Sequence, residues 1–225
     1  MAAWPLPTDA QADDFFYQGD DMWVTITGYK GPGGAVTIPA DINGVPVFEL
    51  GEWALAWHGE IASVAVSGPY IWGIDDFAFY SCTGLTNVTI PASVGYIASD
   101  AFEYCSNLQT IAVDPGNAAY SSADGVLFNK NQTDLIVCPG GRPGTYVVPA
   151  SVLYLDSEAF SSCSGLTAIG VASSNSTFSS IDGVLFGANQ KGLIRCPEGK
   201  TGNYTRNGLN SYYFIDAIQR FSYQE

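Results

Sequence analysis

The sequence predicts a β-rich solenoid, a fold in which short coils of similar sequence stack on one another. An apolar pattern that includes Ile74 recurs 23 residues later, again after a further 58 residues, and also 24 residues upstream. A longer stretch, YSSADGVLFNKNQTDLIVCPGG from Tyr120, recurs as FSSIDGVLFGANQKGLIRCPEG from Phe178. Repeats of this period indicate a solenoid, and the abundance of Gly and Pro favours short strands joined by turns.

Each short coil repeats seven positions, which we predict to point inward. In the central copy they are Ile74, Ala78, Phe79, Cys82, Leu85, Val88 and Ile90. The other copies place there Leu50, Ala54, Leu55, His58, Ile61, Val64 and Val66; Ile97, Ala101, Phe102, Cys105, Leu108, Ile111 and Val113; and Leu155, Ala159, Phe160, Cys163, Leu166, Ile169 and Val171.

Within a coil, the stretch from Ala78 to Leu85 is too short for a full α-helix. We expect one helical or 3₁₀ turn there, with Phe79 and Leu85 directed inward. A short parallel strand follows, with Val88 buried and Thr89 outward, because side chains alternate along a strand. Proline lacks the amide hydrogen that a continuing strand needs, so the strand ends at the Pro that follows.

The long coils each contain an Asp-Gly pair between strand-like segments, at Asp124-Gly125 and Asp182-Gly183. Asp-Gly is favoured in type I′ hairpin turns, where both central residues have positive φ. We therefore predict hairpin insertions in the long coils. The turn also accounts for these aspartates without a catalytic role.

The predicted division of the chain has four parts. Residues 1–14 are a disordered leader or the remnant of a signal peptide, and residues 15–49 form an N-terminal β cap and half a repeat. In that half repeat, Val36-Thr37-Ile38-Pro39 matches Val88-Thr89-Ile90-Pro91. The solenoid occupies residues 50–212, and residues 213–225 are a frayed or truncated C-terminal repeat, since terminal repeats are often atypical.

Charge and hydropathy exclude two classes of partner. The formal net charge is −14, with only eight Lys and Arg residues and none between Gly31 and Asn129. Phosphate recognition needs clustered basic residues, so nucleic acid is not an expected partner. No apolar run approaches the roughly 18 residues of a membrane helix, so membrane insertion is not expected. We expect a monomer.

The five cysteines follow the repeat rather than a disulfide framework. Cys82, Cys105 and Cys163 occupy one repeated position, and Cys138 and Cys196 another. Cysteine behaves as a small buried hydrophobe, so we interpret them as buried free thiols. Cys82 and Cys105 fall in adjacent coils, about 4.8 Å apart by strand spacing, so the sequence leaves open whether these two form a disulfide.

No catalytic, cofactor-binding or metal-binding residues are predicted. His58 is the only histidine, so a Ser-His-Asp or Cys-His centre would depend on it, but it occupies the repeated cysteine position. The phosphate-loop, zinc-protease, hydrolase and calcium-loop patterns are all absent. The sequence therefore predicts a protein that is not an enzyme.

The motifs AFYSC, AFEYC and AFSSC, the Thr-Ile-Pro-Ala-Ser-Val stretch, YSSADGVLF and SSIDGVLF resemble the BspA-like leucine-rich repeats. The likeness extends from about Val36 to Tyr204. It implies a leucine-rich-repeat solenoid of a secreted or cell-surface protein that binds other macromolecules, such as host or matrix proteins. Family members studied as adhesins attach to matrix proteins, and no catalytic residues come with the family.

The candidate binding residues are aromatic, because Trp and Tyr concentrate affinity at interfaces. The outward strand position holds only small residues, Ala65, Thr89, Ala112 and Gly170. We therefore predict that a partner protein binds around Trp53, Trp57, Tyr70, Trp72 and Tyr80. The alternative is a carbohydrate-binding module that uses Trp53, Trp57 and Trp72 to bind a surface glycan.

Overall fold

The computed structural model describes residues 12–200, which form two compact units. The first unit contains residues up to Arg142 together with Tyr154–Ser162; the second contains Pro143–Leu153 and the residues from Cys163 onward. Of the predicted leader, only the 3₁₀ helix Ala12–Asp14 lies within the described residues. The predicted C-terminal repeat 213–225 lies wholly outside them. Within residues 12–200, no helix is long and apolar enough to span a membrane.

Short strands make up most of the first unit. They are β1 (Phe15–Gly19), β2 (Val24–Tyr29), β3 (Gly34–Ile38), β4 (Asp41–Ile42), β5 (Val45–Leu50), β6 (Ile61–Val66), β7 (Gly73–Ile74), β8 (Asn87–Ile90), β9 (Tyr96–Ile97), β10 (Thr110–Val113), β11 (Tyr120–Ala123), β12 (Val126–Asn129), β13 (Asp134–Val137) and β15 (Tyr154–Leu155).

Two sheets run through the stacked coils of the first unit. The first sheet has the order β1-β2-β5-β7-β9, with β4 added antiparallel to β5, and the second sheet has the order β10-β8-β6-β3. All pairs in the second sheet are parallel, and the residue partners follow the repeat: Val64 lies opposite Val88, and Val88 opposite Ile111. These parallel ladders confirm the predicted solenoid.

The repeated inward positions form the core of the first unit. Phe79 is fully buried and stacks on Phe102 of the next coil, with ring centroids 5.0 Å apart and an interplanar angle of 5°. Val88 and Ile90 are buried, whereas Thr89 between them is exposed. The core is therefore a continuous column to which each coil contributes equivalent side chains.

The segment that connects the two sheets within a coil is a chain of linked turns. Tyr80 N donates to Phe77 O at 2.9 Å, an i to i+3 bond of the 3₁₀ kind. Phe77 and Ser81 each have a φ of 56°, and this left-handed conformation interrupts any helix. The freed amides pair between coils instead, as when Ser81 N donates to Glu103 O at 2.9 Å. The expected helical turn thus takes the form of separate turns.

The predicted hairpin insertions are present. In the first unit, β11 and β12 pair antiparallel around Asp124 (φ 51°) and Gly125 (φ 78°), the type I′ signature of positive φ at both residues. Gly125 O accepts a hydrogen bond from Ile111 N at 2.9 Å. The hairpin therefore also covers the edge of β10. The strands β12, β13 and β15 continue this sheet.

The second unit repeats this design. Its strands are β14 (Gly144–Val148), β16 (Leu166–Val171), β17 (Phe178–Ile181), β18 (Val184–Gly187) and β19 (Leu193–Arg195). β14 and β16 are parallel, and β17 and β18 form a hairpin around Asp182 (φ 51°) and Gly183 (φ 77°). Gly183 O accepts from Ile169 N at 2.8 Å, the equivalent of the contact to β10.

The N-terminal strands continue both sheets of the first unit. β3 pairs with β6 so that Val36 lies opposite Val64 and Ile38 opposite Val66, as the matched letters indicate. β1 and β2 form an antiparallel pair at the edge of the first sheet. That residues 15–49 act as a protective cap stays a prediction.

The cysteines are free. The Cys82 thiol donates to Leu55 O at 2.9 Å, and the Cys105 thiol donates to Phe79 O at 3.0 Å. The thiols of Cys82 and Cys105 therefore each bond to the coil before them, in addition to filling space. Cys138 and Cys163 are also buried, but Cys196 is only half-buried.

Candidate partner-binding surface

Five aromatic side chains of the first unit are joined by ring contacts and are here named the Trp57 cluster: Trp53, Trp57, Phe77, Tyr80 and Tyr104. Trp57 and Tyr104 are exposed, and the other three are half-buried. Trp53 lies between Trp57 and Phe77, with ring centroids 5.0 and 4.4 Å away and interplanar angles of 1° and 16°. Tyr80 packs edge-on against Trp53 at 5.2 Å and against Tyr104 at 5.1 Å. One face of the Trp57 indole lies on Trp53. Trp57 is 63% exposed, so much of the rest of the side chain faces solvent.

Left-handed backbone conformations present these rings to solvent. Positive φ values occur at four of the five residues, namely Trp53 (62°), Trp57 (64°), Phe77 (56°) and Tyr104 (59°). Residues other than glycine rarely adopt this region, which costs about 1–2 kcal/mol. The position of Trp57 in other coils of the first unit is held by Ser81 (φ 56°), Tyr104 (φ 59°) and Ser162 (φ 63°). The backbone therefore does not require an aromatic residue there.

Carboxylates border the Trp57 cluster. Trp53 Nε1 donates to the Glu52 carboxylate at 2.8 Å. The backbone amide of Trp53 donates to the backbone carbonyl of Asp76 at 3.2 Å, and Asp76 directly precedes Phe77. Partial desolvation raises the pKa of the Asp76 carboxyl, and the nearby charges of Asp100, Asp75 and Glu52 raise it further. The negative charges of these carboxylates give the surface beside the rings a negative potential.

A second group of rings, here named the Trp72 row, runs along the first sheet and comprises Trp23, Phe48, Trp72 and Tyr96. Its centroid distances are 5.2, 6.1 and 5.9 Å in that order. Trp72 lies nearly parallel to Phe48 (9°) and to Tyr96 (14°), so both faces of its indole have an aromatic neighbour. The row thus stacks from coil to coil, and its faces are less accessible than that of Trp57.

The five predicted binding residues therefore do not form one continuous group of ring contacts, and that they bind a partner stays a prediction. Trp53, Trp57 and Tyr80 lie together in the Trp57 cluster, and Trp72 belongs to the Trp72 row. Tyr70 is 53% exposed in the loop between β6 and β7 and, among the described residues, joins neither group. Sequence reasoning missed Phe77, although it occupies the repeat position of Trp53, 24 residues further along.

Other positions offer less for binding. His58 Nδ1 lies 2.5 Å from Glu60 Oε1, a hydrogen bond that lowers the pKa of the Glu60 carboxyl. Residues 12–200 contain no cluster of three His, Cys, Asp or Glu side chains suited to a metal ion. The outward row of the second sheet places Ala65, Thr89 and Ala112 side by side, a face of small side chains as predicted.

The coil geometry and the surface described above define a repeat scaffold of the β-solenoid class. The model of the BspA type leucine-rich repeat region matches residues 49–138, in six copies. Residues 49–138 are thus a BspA-type leucine-rich repeat region, and the family resemblance is confirmed. No curated protein matches the chain.

Solved structures of bacterial repeat proteins are similar to this chain. The leucine-rich repeat protein TpLRR of T. pallidum is 25% identical, with a TM-score of 0.52 over 72% of this chain and 71% of that one. The pneumococcal vaccine antigen PcpA is 20% identical, with a TM-score of 0.44 over 88% of this chain and 58% of that one. A leucine rich cell surface protein of Faecalibacterium prausnitzii A2-165 is 23% identical, with a TM-score of 0.42 over 87% of this chain and 63% of that one. This chain spans about three fifths of the last two proteins.

Proposed function

We propose that this protein is a non-catalytic protein-interaction or adhesion module of a secreted or cell-surface protein. The family and the fold support a scaffold whose surface, rather than an enclosed site, carries the function. The location outside the cell is inferred from the BspA-type repeats alone.

The single observation that carries the proposed binding site is the Trp57 cluster, where four aromatic residues have left-handed φ values. At the repeat position of Trp57 and Tyr104, other coils hold serine. Interfaces concentrate their affinity in a few Trp, Tyr and Arg residues. The partner should carry a basic patch, because the described residues of the first unit include 17 acidic and three basic residues, a formal charge of −14.

A pull-down from extracts of extracellular matrix and cell surface, read by mass spectrometry, tests this function. Trp57→Ala should lose the proteins that the wild type recovers, whereas Trp72→Ala should retain them. The two indoles make a matched pair because both are substantially exposed, at 63% and 48%, but lie in different ring groups. Equal recovery by all three proteins would remove the Trp57 cluster from consideration, and specific recovery by none would contradict an adhesive role.

The glycan alternative depends on the same exposed indole, because a sugar ring could also stack on Trp57. A glycan array separates the two hypotheses. Binding of a defined uncharged glycan by the wild type but not by Trp57→Ala would favour the carbohydrate-binding module over protein binding.

A further inference from the structure

We propose that the outer face of Trp57 binds an arginine side chain from a basic segment of the partner protein, with the carboxylates that border the cluster as counter-charges. This proposal rests on the proposed function and specifies which chemical group that surface recognises.

The first argument is the geometry of the indole. Trp53 and Phe77 hold Trp57 in a flat stack, and Tyr80 packs edge-on at 5.8 Å from Trp57. These contacts orient the ring before binding and leave its outer face open. A cation above an indole face is attracted by the ring quadrupole, and Trp is the strongest of the aromatic residues in this role.

The second argument is the lack of an internal counter-charge. The sequence has no Lys or Arg from Gly31 to Asn129, a range that includes the whole cluster. Glu52 is held at the rim by the Trp53 indole, and Asp75, Asp76 and Asp100 lie close enough to influence one another. A cation supplied by a partner would reduce this repulsion, which is the charge complementarity that steers association.

Arginine suits this surface better than lysine. The guanidinium is planar and stacks on an aromatic face. Its N–H groups point outward in the guanidinium plane, where a carboxylate can accept their hydrogen bonds. The lysine ammonium is a compact and strongly hydrated charge, so it gains less from a flat ring. The surface therefore selects for shape as well as for charge.

The experiment uses three soluble peptides that differ only at two central positions, which are arginine, lysine or citrulline; citrulline is planar but neutral. Binding is followed by the indole N–H signals in ¹⁵N–¹H spectra of the full chain, with the Trp57 signal identified by its loss in Trp57→Phe. We expect the arginine peptide to shift the Trp57 signal and to bind roughly tenfold more tightly than the citrulline peptide, since cation–π contacts contribute about 0.5–2 kcal/mol.

Three variants complete the test. Trp57→Ala should abolish binding of the arginine peptide, Glu52→Gln should weaken it several-fold, and Trp72→Ala should leave it unchanged. Equal binding of the citrulline and arginine peptides, or equal losses in Trp57→Ala and Trp72→Ala, would overturn the proposal.

The outcome for arginine is distinguishable from that for the proposed function. A partner protein that needs Trp57 but is neither displaced by the arginine peptide nor weakened by Glu52→Gln would support the function and contradict the arginine contact. Specific binding of the arginine peptide, with no partner protein recovered in the pull-down, would support the arginine contact and contradict the proposed function.

Discussion

At the scale of single residues, the backbone of the turn segments explains why the aromatic rings stand exposed. Positive φ at Trp53, Trp57 and Phe77 lets the chain form inter-coil hydrogen bonds, such as Trp57 N to Tyr80 O at 2.7 Å. The conformation is a property of the coil, because Ser81 adopts it too. The indole at position 57 therefore adds surface chemistry at a conformational cost that glycine would avoid.

This conformation makes a test of stability possible. Trp57→Gly should be more stable than Trp57→Ala by roughly 1 kcal/mol, since only glycine adopts a φ of 64° without steric penalty. Urea unfolding followed by Trp fluorescence measures the difference. At the exposed strand position Thr89 the order of stability should be the opposite, with Thr89→Gly less stable than Thr89→Ala, because glycine weakens a strand. The same order at both positions would mean that residue 57 is not left-handed.

The thiols provide a second test at this scale. Burial raises the pKa of the Cys82 thiol to about 12, and Cys105, Cys138 and Cys163 are buried as well. The thiolate is the reactive form, so these four should resist alkylation in the native protein. Cys196 is half-buried, which corrects the expectation that all five thiols are buried, and it should react first. Time-resolved mass spectrometry identifies the labelled sites, and Cys196→Ser should remove the fast phase; rapid labelling of Cys82 in that variant would contradict the assigned core.

At the scale of elements, the sequence predicted the strands and hairpin turns correctly where their residue types strongly favour one backbone conformation. Val88, Thr89 and Ile90 follow the strand period, and Asp124-Gly125 forms the turn that its composition favours. Asn43-Gly44 carries the same signal, and it links β4 to β5 with φ values of 55° and 82°.

The positive φ values in the linked turns could not be predicted from residue type. Phe77 has a positive φ although its residue type does not favour one, and the amides of Phe79 and Ser81 that follow it pair with the next coil. The separation of Trp72 from Trp57 likewise follows from the path of the coil, because Trp72 precedes β7 and stacks along the first sheet. A sequence window can show that both residues are aromatic, but it does not show which rings meet.

Stacking between equivalent positions makes the core sensitive to a single truncation. Phe102→Ala should destabilise the protein by about 3–5 kcal/mol, because it removes a buried ring that stacks on Phe79 and leaves a cavity. Chemical denaturation gives the free energy of unfolding. Tyr104→Ala, two residues further on, should cost about 1 kcal/mol or less, in line with the loss of one exposed aromatic pair. A loss below about 1 kcal/mol for Phe102→Ala would show that the inward position is assigned wrongly.

At the scale of the molecule, acidic charge is concentrated in the first unit. The described residues of the second unit include two acidic residues, Asp182 and Glu198, against three basic ones. The surface of the first unit can therefore attract a cationic partner while the second contributes little to that field. The same concentration of carboxylates should also make the stability of the first unit depend on pH.

The sign of that dependence follows from the direction of the pKa shifts. Desolvation raises the pKa of Glu49, Asp76 and Glu103 in the folded protein, with neighbouring carboxylates adding to the effect. Their ionisation is thus less favourable in the folded than in the unfolded chain, and this penalty disappears as pH falls from neutral toward their ordinary values of 4.5 and 3.8. Asp20 and Glu60 have lowered pKa values, so they lose their stabilising effect only below that range.

We therefore expect the urea midpoint of the first unit to rise between pH 7 and about pH 5 before it falls in stronger acid. Tryptophan fluorescence reports on this unit, because all five Trp residues lie within the first 72 residues. Asp76→Asn should raise the midpoint at pH 7 and reduce its change with pH. Asp124→Asn is the matched control, since it removes one charge from the same unit and Asn tolerates the positive φ of that turn. If both variants behaved alike, the dependence would reflect net charge alone. A midpoint that fell steadily from pH 7 would contradict the raised pKa values of Glu49, Asp76 and Glu103.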